Sequence, residues 1–305
     1  MRMRPEKRTE AAMKVIVSEA AGMCFGVRDA LAVLEQVAEP RKVTIHGELV
    51  HNELVISQLG NRGFHMVEEN DRSALPATET VLITAHGISN RERRRLQAAG
   101  KKLVDTTCPL VERAHQAARR LREDGRHVLV IGRRGHVEVQ GIIEDLESYD
   151  VIENASEVTT YPAKRLGIMC QTTTPVRLAE EIRAAVARLN PAADIRFIDT
   201  ICHPTKEHQQ ALESLLDKVE AMVVVGGKNS NNTRELVRRC QEKGIPAYHV
   251  QAAADLNADW FDGIETVGLT AGTSTLDSSI AEVHEAILQI RNSNIEIRGK
   301  SAIRN

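Results

Sequence analysis

Three cysteines occupy the same kind of position in the sequence. Cys24, Cys108 and Cys202 each follow a short apolar run typical of a β-strand and precede a stretch of helical period. The intervals are similar, since 84 residues separate Cys24 from Cys108 and 94 separate Cys108 from Cys202. Three such units around one centre would bring the three thiols together. Because the thiolate is a metal ligand, the pattern predicts a metal centre.

A helix N-terminus favours the thiolate, so we expect lowered thiol pKa values at these three positions. The other two cysteines have different surroundings, because Cys170 ends an apolar run and Cys240 lies within a predicted helix. A small buried hydrophobic residue is the usual interpretation there. Packing is also the competing interpretation of the three strand-end cysteines, and their positions alone do not decide between the two.

Polar side chains follow most of the other predicted strands. They include His46, His51, Asn52, His86, His136, Glu138, Thr172, Thr173, Asn229, Ser230, Asn231, Asn232, Thr273 and Ser274. Helix capping accounts for Ser, Thr and Asn at such positions, but histidine is not a favoured cap. Helix N-termini with small hydroxyl and amide side chains are typical anion sites, and a compact anion such as a diphosphate suits this set. The glycine-rich stretch 226–230 lacks P-loop spacing, so nucleoside triphosphate binding is unsupported.

Short β-branched runs alternate with helical stretches along the whole chain, which predicts parallel sheets covered by helices on both faces. Ligands of such sheets bind beyond the carboxyl ends of the strands. We therefore predict an α/β fold of three small parallel-sheet domains, 14–107, 108–200 and 201–291, in a three-lobed, pseudo-threefold arrangement. The last helix is predicted over 276–290, with a disordered extension at 1–13 and a mobile tail at 292–305.

Composition excludes several classes of protein. The 305 residues carry a net charge of −2, which argues against a nucleic acid backbone or an anionic membrane as the main partner. Aromatic residues make up only 3%, so a base-stacking surface is not expected. No apolar run approaches the roughly 20 residues of a membrane span, and the N-terminus has no apolar signal segment. We expect a cytoplasmic protein, and a monomer because a closed three-lobed fold completes its own site.

Motifs spread along the chain are together similar to those of one enzyme family. They are Gly22-Met23-Cys24-Phe25-Gly26-Val27, His51-Asn52, Ala85-His86-Gly87, Asp105-Thr106-Thr107-Cys108-Pro109-Leu110-Val111, Gly135-His136-Val137-Glu138-Val139, Gln171-Thr172-Thr173, Ile201-Cys202, Lys228-Asn229-Ser230 with Asn232, and Thr270-Ala271-Gly272-Thr273-Ser274. In this order, over about residues 14–290, the set resembles the 4-hydroxy-3-methylbut-2-enyl diphosphate reductases. That family performs the last step of the methylerythritol phosphate route to isoprenoid precursors.

The resemblance implies one central [4Fe-4S] cluster per chain, held by Cys24, Cys108 and Cys202, with the remaining iron binding the substrate hydroxyl. The implied reaction removes the allylic hydroxyl of (E)-4-hydroxy-3-methylbut-2-enyl diphosphate with two electrons and gives isopentenyl and dimethylallyl diphosphates. Glu138 is implied as the proton source, with His136 and Thr172 beside it. The implied substrate-binding residues are His51, His86, His136, Thr172, Thr205, Ser230, Asn231, Asn232 and Ser274. A flavodoxin or ferredoxin is the implied electron donor.

The chemistry is consistent with this set of residues. Hydroxide is a poor leaving group, so cleavage of the C–O bond at neutral pH needs a Lewis acid, a proton or both. An iron without a protein ligand provides an open coordination position, which makes three cysteines, instead of four, the expected number. Burial that raises the pKa of Glu138 would let this carboxyl deliver the proton, and Thr172 would relay it.

Two positions depart from the family pattern. Arg133 replaces a histidine that often precedes the Gly-His segment, and Asn231 stands where Ser or Gly is usual. We expect both residues to change loop conformation near the diphosphate without abolishing activity.

Three alternatives remain open from the sequence. Three cysteines and a water bind zinc in some hydrolases, so a zinc hydrolase of phosphorylated metabolites is one alternative. A non-enzymatic iron–sulfur redox sensor is the second, although a sensor needs no lining of His, Ser, Asn and Glu. A plain ligand-binding α/β protein with buried cysteines is the third.

Overall fold

The computed structural model describes residues 13–68, 72 and 74–302, with side chains described up to residue 290. The first strand is β1 (Lys14–Val17), and three sets of elements follow it. The first set is α1 (Phe25–Glu35), β2 (Val43–His46), α2 (Glu53–Asn61), β3 (His65–Val67), β4 (Thr80–Ile83), α3 (Asn90–Ala98) and β5 (Lys102–Asp105). The second is α4 (Pro109–Glu123), β6 (His127–Ile131), α5 (Val137–Ile143), β7 (Tyr149–Ile152), β8 (Arg165–Cys170), α6 (Val176–Leu189) and β9 (Asp194–Ile198). The third is α7 (His203–Leu216), β10 (Ala221–Val225), α8 (Asn231–Glu242), β11 (Ala247–Val250), β12 (Thr266–Ala271) and α9 (Asp277–Ala302).

The first two sets each build one four-stranded sheet, the third set builds a sheet of four together with β1, and the three sheets have equivalent strand orders. The orders are β3-β2-β4-β5, β7-β6-β8-β9 and β11-β10-β12-β1. All strand pairs are parallel, from β2 with β4 to β10 with β12. The predicted α/β fold with three small parallel sheets is therefore confirmed.

The position of β1 corrects the sequence-based boundaries. We predicted this strand within the first unit, 14–107, but it pairs with β12 from Lys14 opposite Thr266 to Val17 opposite Leu269. The physical reason is an open sheet edge: in the described chain no strand follows α9, so the edge beside β12 is completed by the N-terminal strand. Met13, predicted within the disordered extension, is also buried in the core of this third sheet. The rest of that extension lies outside the described residues.

The C-terminal helix also differs from the prediction. We expected it to end at residue 290 and a mobile tail to begin at 292, but α9 continues to Ala302. Positions 291–298 contain neither Gly nor Pro, so the sequence offers no helix breaker there.

The strand order opens one crevice in each sheet. In the first sheet the chain leaves β2 toward one edge and β4 toward the other, so the loops after these two central strands diverge. The pairs β6/β8 and β10/β12 repeat this arrangement. Such divergence at the carboxyl ends of parallel strands is where α/β proteins bind ligands. The three crevices are the places in which site residues are expected.

The central strands are buried on both faces, as in parallel sheets covered by helices. All five residues of β10 are buried, and four of the five in β6. Among the described residues, no helix combines the length and the apolar character that a membrane span requires.

Gly272, just after β12, provides a test of how tightly these loops pack. A Cβ atom at Gly272 would lie 2.0 Å from the Thr233 hydroxyl oxygen in the first turn of α8. We expect Gly272→Ala to lower the free energy of unfolding by about 1–3 kcal/mol, because α8 or the loop must move. Gly60 in α2 is the control, since its nearest neighbour would be Met66 at 3.6 Å. Gly60→Ala should instead raise stability by up to about 1 kcal/mol.

Urea denaturation of the two variants and the parent protein measures both effects. A Gly272→Ala protein as stable as the parent would show that the approach of this loop to α8 is not tight.

Candidate active site

The backbone fixes the three cysteines in equivalent positions. Each one follows an edge strand of one sheet and directly precedes the first helix of the next set. Its N–H donates to the carbonyl of a residue that follows the neighbouring strand. These bonds run from Cys24 to Thr273 (2.9 Å), from Cys108 to Ala85 (3.1 Å) and from Cys202 to Thr172 (2.9 Å). The cysteines therefore sit at the three junctions between units.

The thiols face the N-termini of their helices, yet burial dominates their ionisation. Backbone N–H groups of the first helical turn, such as that of Val27 for Cys24, favour the thiolate. Burial outweighs them and raises the pKa of Cys24 and Cys108, and that of Cys202 to about 11. The expectation of lowered thiol pKa values is therefore wrong for the protein without metal, because the sequence does not show how far the thiols are removed from water. A bound metal cation deprotonates its thiol ligands despite burial.

One cavity is lined by all three thiols and by most of the predicted polar residues. The lining includes Cys24, Phe25, Gly26, Val50, His51, Ala85, His86, Cys108, His136, Glu138, Thr172, Thr173, Cys202, Ser230, Asn231, Asn232, Thr273 and Ser274. These residues come from the loops after β1, β2, β4, β5, β6, β8, β9, β10 and β12. The three crevices and the three junctions thus open into the same space.

All three thiols line this space. Within the described parts of the chain, no group of three His, Cys, Asp or Glu side chains is placed to hold one metal ion. Gly26 keeps the space beside Cys108 open, because a Cβ there would lie 2.5 Å from the Cys108 sulfur. Three thiols around one cavity are a donor set that suits a metal group.

The remaining two cysteines are packing residues, as predicted. Cys170 is fully buried in the core of the second sheet. Cys240 lies on the buried face of α8, where its thiol donates to the carbonyl of Leu236 at 3.1 Å.

Three histidine rings form one wall of the cavity. His51 stacks on His86 with ring centres 4.6 Å apart, and His136 meets both rings edge-on at 5.0 and 5.7 Å. Burial is the main cause that lowers the pKa of His136 to about 3 and that of His86 well below its usual range. Both rings are therefore neutral at pH 7. The Nδ1 of His136 accepts the N–H of Glu138 at 3.2 Å, which places the proton of the neutral ring on Nε2.

Glu138 is held by Thr172 through both carboxyl oxygens. Its Oε1 accepts the Thr172 N–H at 2.7 Å, and its Oε2 accepts the Thr172 hydroxyl at 2.8 Å. These bonds favour the carboxylate, but complete burial outweighs them and raises the pKa of Glu138 to about 7. The side chain can therefore exist as a protonated acid near neutral pH. The sequence predicted this pair, and the structure brings the two residues together.

Several polar atoms at the cavity are buried without any hydrogen-bond partner. They are Nε2 of His51, Nδ1 of His86, Nδ2 and Oδ1 of Asn232, and Oγ of Ser274. Such atoms are rare in proteins because an unpaired buried polar group costs about 1–3 kcal/mol. Their concentration at one cavity indicates that they serve a polar ligand. The His51 ring is oriented for this by Glu48, which accepts its Nδ1–H at 2.9 Å.

Three other predicted substrate-binding residues differ in their contacts with the rest of the protein. The Ser230 hydroxyl caps α8 by accepting the Thr233 N–H at 3.3 Å, so capping is part of its role. Asn231 donates to the Thr173 hydroxyl at 3.2 Å across the second and third units. Thr205 is fully buried behind Cys202, whose thiol donates to its hydroxyl at 3.1 Å, and it does not line the cavity.

Sequence reasoning assigned no role to two residues that organise the site. Asn52 caps α2 and donates its amide to the Ser274 carbonyl at 2.8 Å, which ties the first unit to the third. Asn52 directly follows His51 in one of the sequence motifs, and this position could have identified it as a site residue. Phe25 stacks on His203 at 5.5 Å, between α1 and α7. This contact was not predictable, since 178 residues separate the two rings in the sequence.

A family model and curated relatives match this chain over nearly its whole length. A family model described as LytB protein matches residues 15–288. The 4-hydroxy-3-methylbut-2-enyl diphosphate reductase of Trichlorobacter lovleyi is 35% identical over 286 residues, which cover 92% of this chain and 100% of that protein. The reductase of the same name from Aquifex aeolicus is 32% identical and covers 90% of this chain and 96% of its own.

Solved structures agree with the sequence relatives. A structure of (E)-4-hydroxy-3-methyl-but-2-enyl diphosphate reductase, the terminal enzyme of the non-mevalonate pathway, is 31% identical with a TM-score of 0.64, and covers 91% of this chain and 99% of its own. The E-1-hydroxy-2-methyl-but-2-enyl-4-diphosphate reductase of Plasmodium falciparum has a TM-score of 0.82 at 25% identity, and covers 90% and 87%. From the family match over residues 15–288, the reductase relatives and the shared fold, we conclude that the chain belongs to the LytB protein family, a family of oxidoreductases.

Proposed function

We propose that the chain reduces (E)-4-hydroxy-3-methylbut-2-enyl diphosphate to isopentenyl and dimethylallyl diphosphates. The reaction consumes two electrons and two protons, breaks the allylic C–O bond and releases water. The observation that carries this proposal is the shared cavity, in which three thiols, a buried acid with a pKa of about 7 and unpartnered anion donors face one another. Each group matches one requirement of the reaction.

The residues present fit a [4Fe-4S] cluster. Cys24, Cys108 and Cys202 would hold it, one from each junction between units, and Gly26 leaves room beside Cys108. When bound, such a cluster supplies electrons and one iron without a protein ligand.

Glu138 is proposed as the acid that protonates the departing hydroxyl. Because burial raises its pKa to about 7, part of the population is protonated at neutral pH. The Thr172 hydroxyl, 2.8 Å from Oε2, holds the carboxyl in place and can pass on a proton. The Nε2–H of His136 is free to donate to an oxygen of the substrate.

The unpartnered donors are proposed to bind the diphosphate. The Asn232 amide and the Ser274 hydroxyl lie after β10 and β12, and the His51 and His86 rings lie after β2 and β4. A diphosphate oxygen would accept hydrogen bonds from the Asn232 amide, the Ser274 hydroxyl and a ring N–H of His86, which removes the cost of burying these donors unpaired. Ser230, Asn231 and the start of α8 add further donors at a helix N-terminus.

The electrons are proposed to come from a flavodoxin or ferredoxin. The family resemblance implies such a donor for a metal group held by Cys24, Cys108 and Cys202, which line the cavity.

The cluster assignment is tested by replacing cysteines one at a time. Cys24→Ser, Cys108→Ser and Cys202→Ser should each lose most of the iron and sulfide of anaerobically purified protein, because a cluster ligand is removed. Cys240→Ser is the matched control, since a serine hydroxyl can keep the bond to the Leu236 carbonyl. It should retain about four irons per chain. Iron and sulfide analysis with visible absorption spectra measures this, and full iron content in all three variants would exclude the assignment.

The role of Glu138 is tested with Glu138→Gln. We expect kcat to fall by roughly 10²- to 10⁴-fold with little change in iron content, because only the acidic proton is lost. In the parent enzyme kcat should fall as pH rises through about 7, since the protonated acid disappears there. Glu207→Gln, on the exposed face of α7, is the control and should leave the rate unchanged. A wild-type rate for Glu138→Gln would refute the acid assignment.

The diphosphate site is tested with Ser274→Ala. The Ser274 hydroxyl has no hydrogen-bond partner among the residues that the structure describes, so alanine removes the proposed ligand contact without breaking a described internal bond. We expect KM to rise roughly ten- to 150-fold, as for a lost bond of about 1.5–3 kcal/mol to a charged acceptor, with kcat largely kept. Ser214→Ala, whose hydroxyl bonds only within α7, should leave KM unchanged. An unaltered KM in Ser274→Ala would place Ser274 outside the substrate site.

A further inference from the structure

A second cleft lies beside the cavity, between the second and third units, with a volume of about 460 Å³. On the side of the second unit it is lined by Arg133, Gln171 and the start of α6. On the side of the third unit it is lined by α8, including Arg234. Asn231 borders both this cleft and the cavity, so the two spaces are neighbours.

The cleft carries two positive charges that nothing in the described chain neutralises. Arg133 and Arg234 have no ion pair among the described residues, whereas the two carboxylates of the cleft are already paired. Those pairs are Glu235 with Arg238 at 2.7 Å and Glu153 with Arg134 at 3.4 Å. The first turn of α8 contains no acidic residue, so its N-terminal dipole adds to the positive potential.

The two arginines also act on each other. Both residues line the same cleft, and partial desolvation together with the charge of Arg133 lowers the pKa of Arg234. The same two charges contribute to the lowered pKa of His136 in the cavity. Like charges in one cleft repel, so this arrangement is relieved when an anion binds between them.

Gln171 supplies an independent indication of a ligand. The residue is fully buried, and its Oε1 accepts the Arg133 N–H at 3.0 Å. Gln171 lines the cleft, and its buried amide Nε2 has no hydrogen-bond partner among the described residues. An unpaired buried amide needs an acceptor, and an anion oxygen is one.

We propose that this cleft is a second anion site, in which a phosphate or diphosphate group binds between Arg133 and Arg234 with Gln171 as an additional donor. Two sources share this chemistry: the diphosphate end of the substrate on its way past Asn231 into the cavity, and free inorganic phosphate. Binding of the substrate's diphosphate in this cleft rests on the proposed function, whereas binding of free inorganic phosphate does not. Both departures from the family pattern, Arg133 and Asn231, thereby receive one explanation.

Calorimetric titration of the holoprotein with inorganic diphosphate at low salt tests the site. The parent protein should bind two equivalents, and Arg133→Gln/Arg234→Gln should bind one. Ser274→Ala should weaken the other site instead.

The control is Arg188→Gln, which removes one positive charge from an exposed arginine at the end of α6 and should keep both sites. Arg133→Lys/Arg234→Lys should retain much of the second site, because the charges remain. A parent protein that binds one equivalent, or a double Gln variant that binds two, would overturn the proposal.

Steady-state turnover distinguishes the two sources. If the substrate passes through the cleft, the double Gln variant should lose about tenfold in kcat/KM at low salt with kcat unchanged, and the difference should vanish at high salt. If free phosphate is the ligand, kcat/KM without phosphate should be the same in both proteins, and added phosphate should change the rate of the parent only. A protein that bound two diphosphates but showed no reductase activity would refute the proposed function and leave this site standing.

Discussion

The whole site depends on the backbone bond that each cysteine makes across a junction. The N–H of Cys24, Cys108 or Cys202 extends the ladder of one sheet, while the helix that follows begins the next unit. A thiol placed in this way cannot move without disturbing two cores. The unit boundaries and the three thiols that line the cavity are therefore one structural feature, and the threefold repeat of α/β units positions these thiols around one space.

Removal of the cavity's side chains from water is the second factor on which the site depends, because it sets their protonation states. It keeps His86 and His136 neutral, raises the pKa of Glu138 to about 7 and opposes ionisation of the thiols. A dry cavity lined by neutral donors strengthens each hydrogen bond to an anion, because the local dielectric is low. The charged side chains of Arg133 and Arg234 are exposed and lie outside this cavity, where water screens their charges.

The sequence predicted the site better than the placement of its first strand. Regular intervals between Cys24, Cys108 and Cys202 predicted that the thiols share one space, and alternation of strands and helices predicted the sheets. The pairing of β1 with β12 was not predictable, because a short apolar strand is locally compatible with any sheet edge. The direction of the thiol pKa shifts was also predicted wrongly. The sequence shows that each thiol lies at a helix N-terminus, but the burial of the thiol depends on packing between units.

The pairing of β1 with β12 also sets an order of events during synthesis. The strand made first completes a sheet whose other members are made last, so the bond from Cys24 to the Thr273 carbonyl cannot form until the ribosome has released residue 273. Cys108 and Cys202 make their bonds to partners earlier in the chain, Ala85 and Thr172, and can be positioned while translation continues. If these three thiols hold the proposed cluster, its binding site is complete only after nearly the entire chain has been translated. Until then β1 remains an unpaired apolar segment, for which shielding by a chaperone would have the most effect.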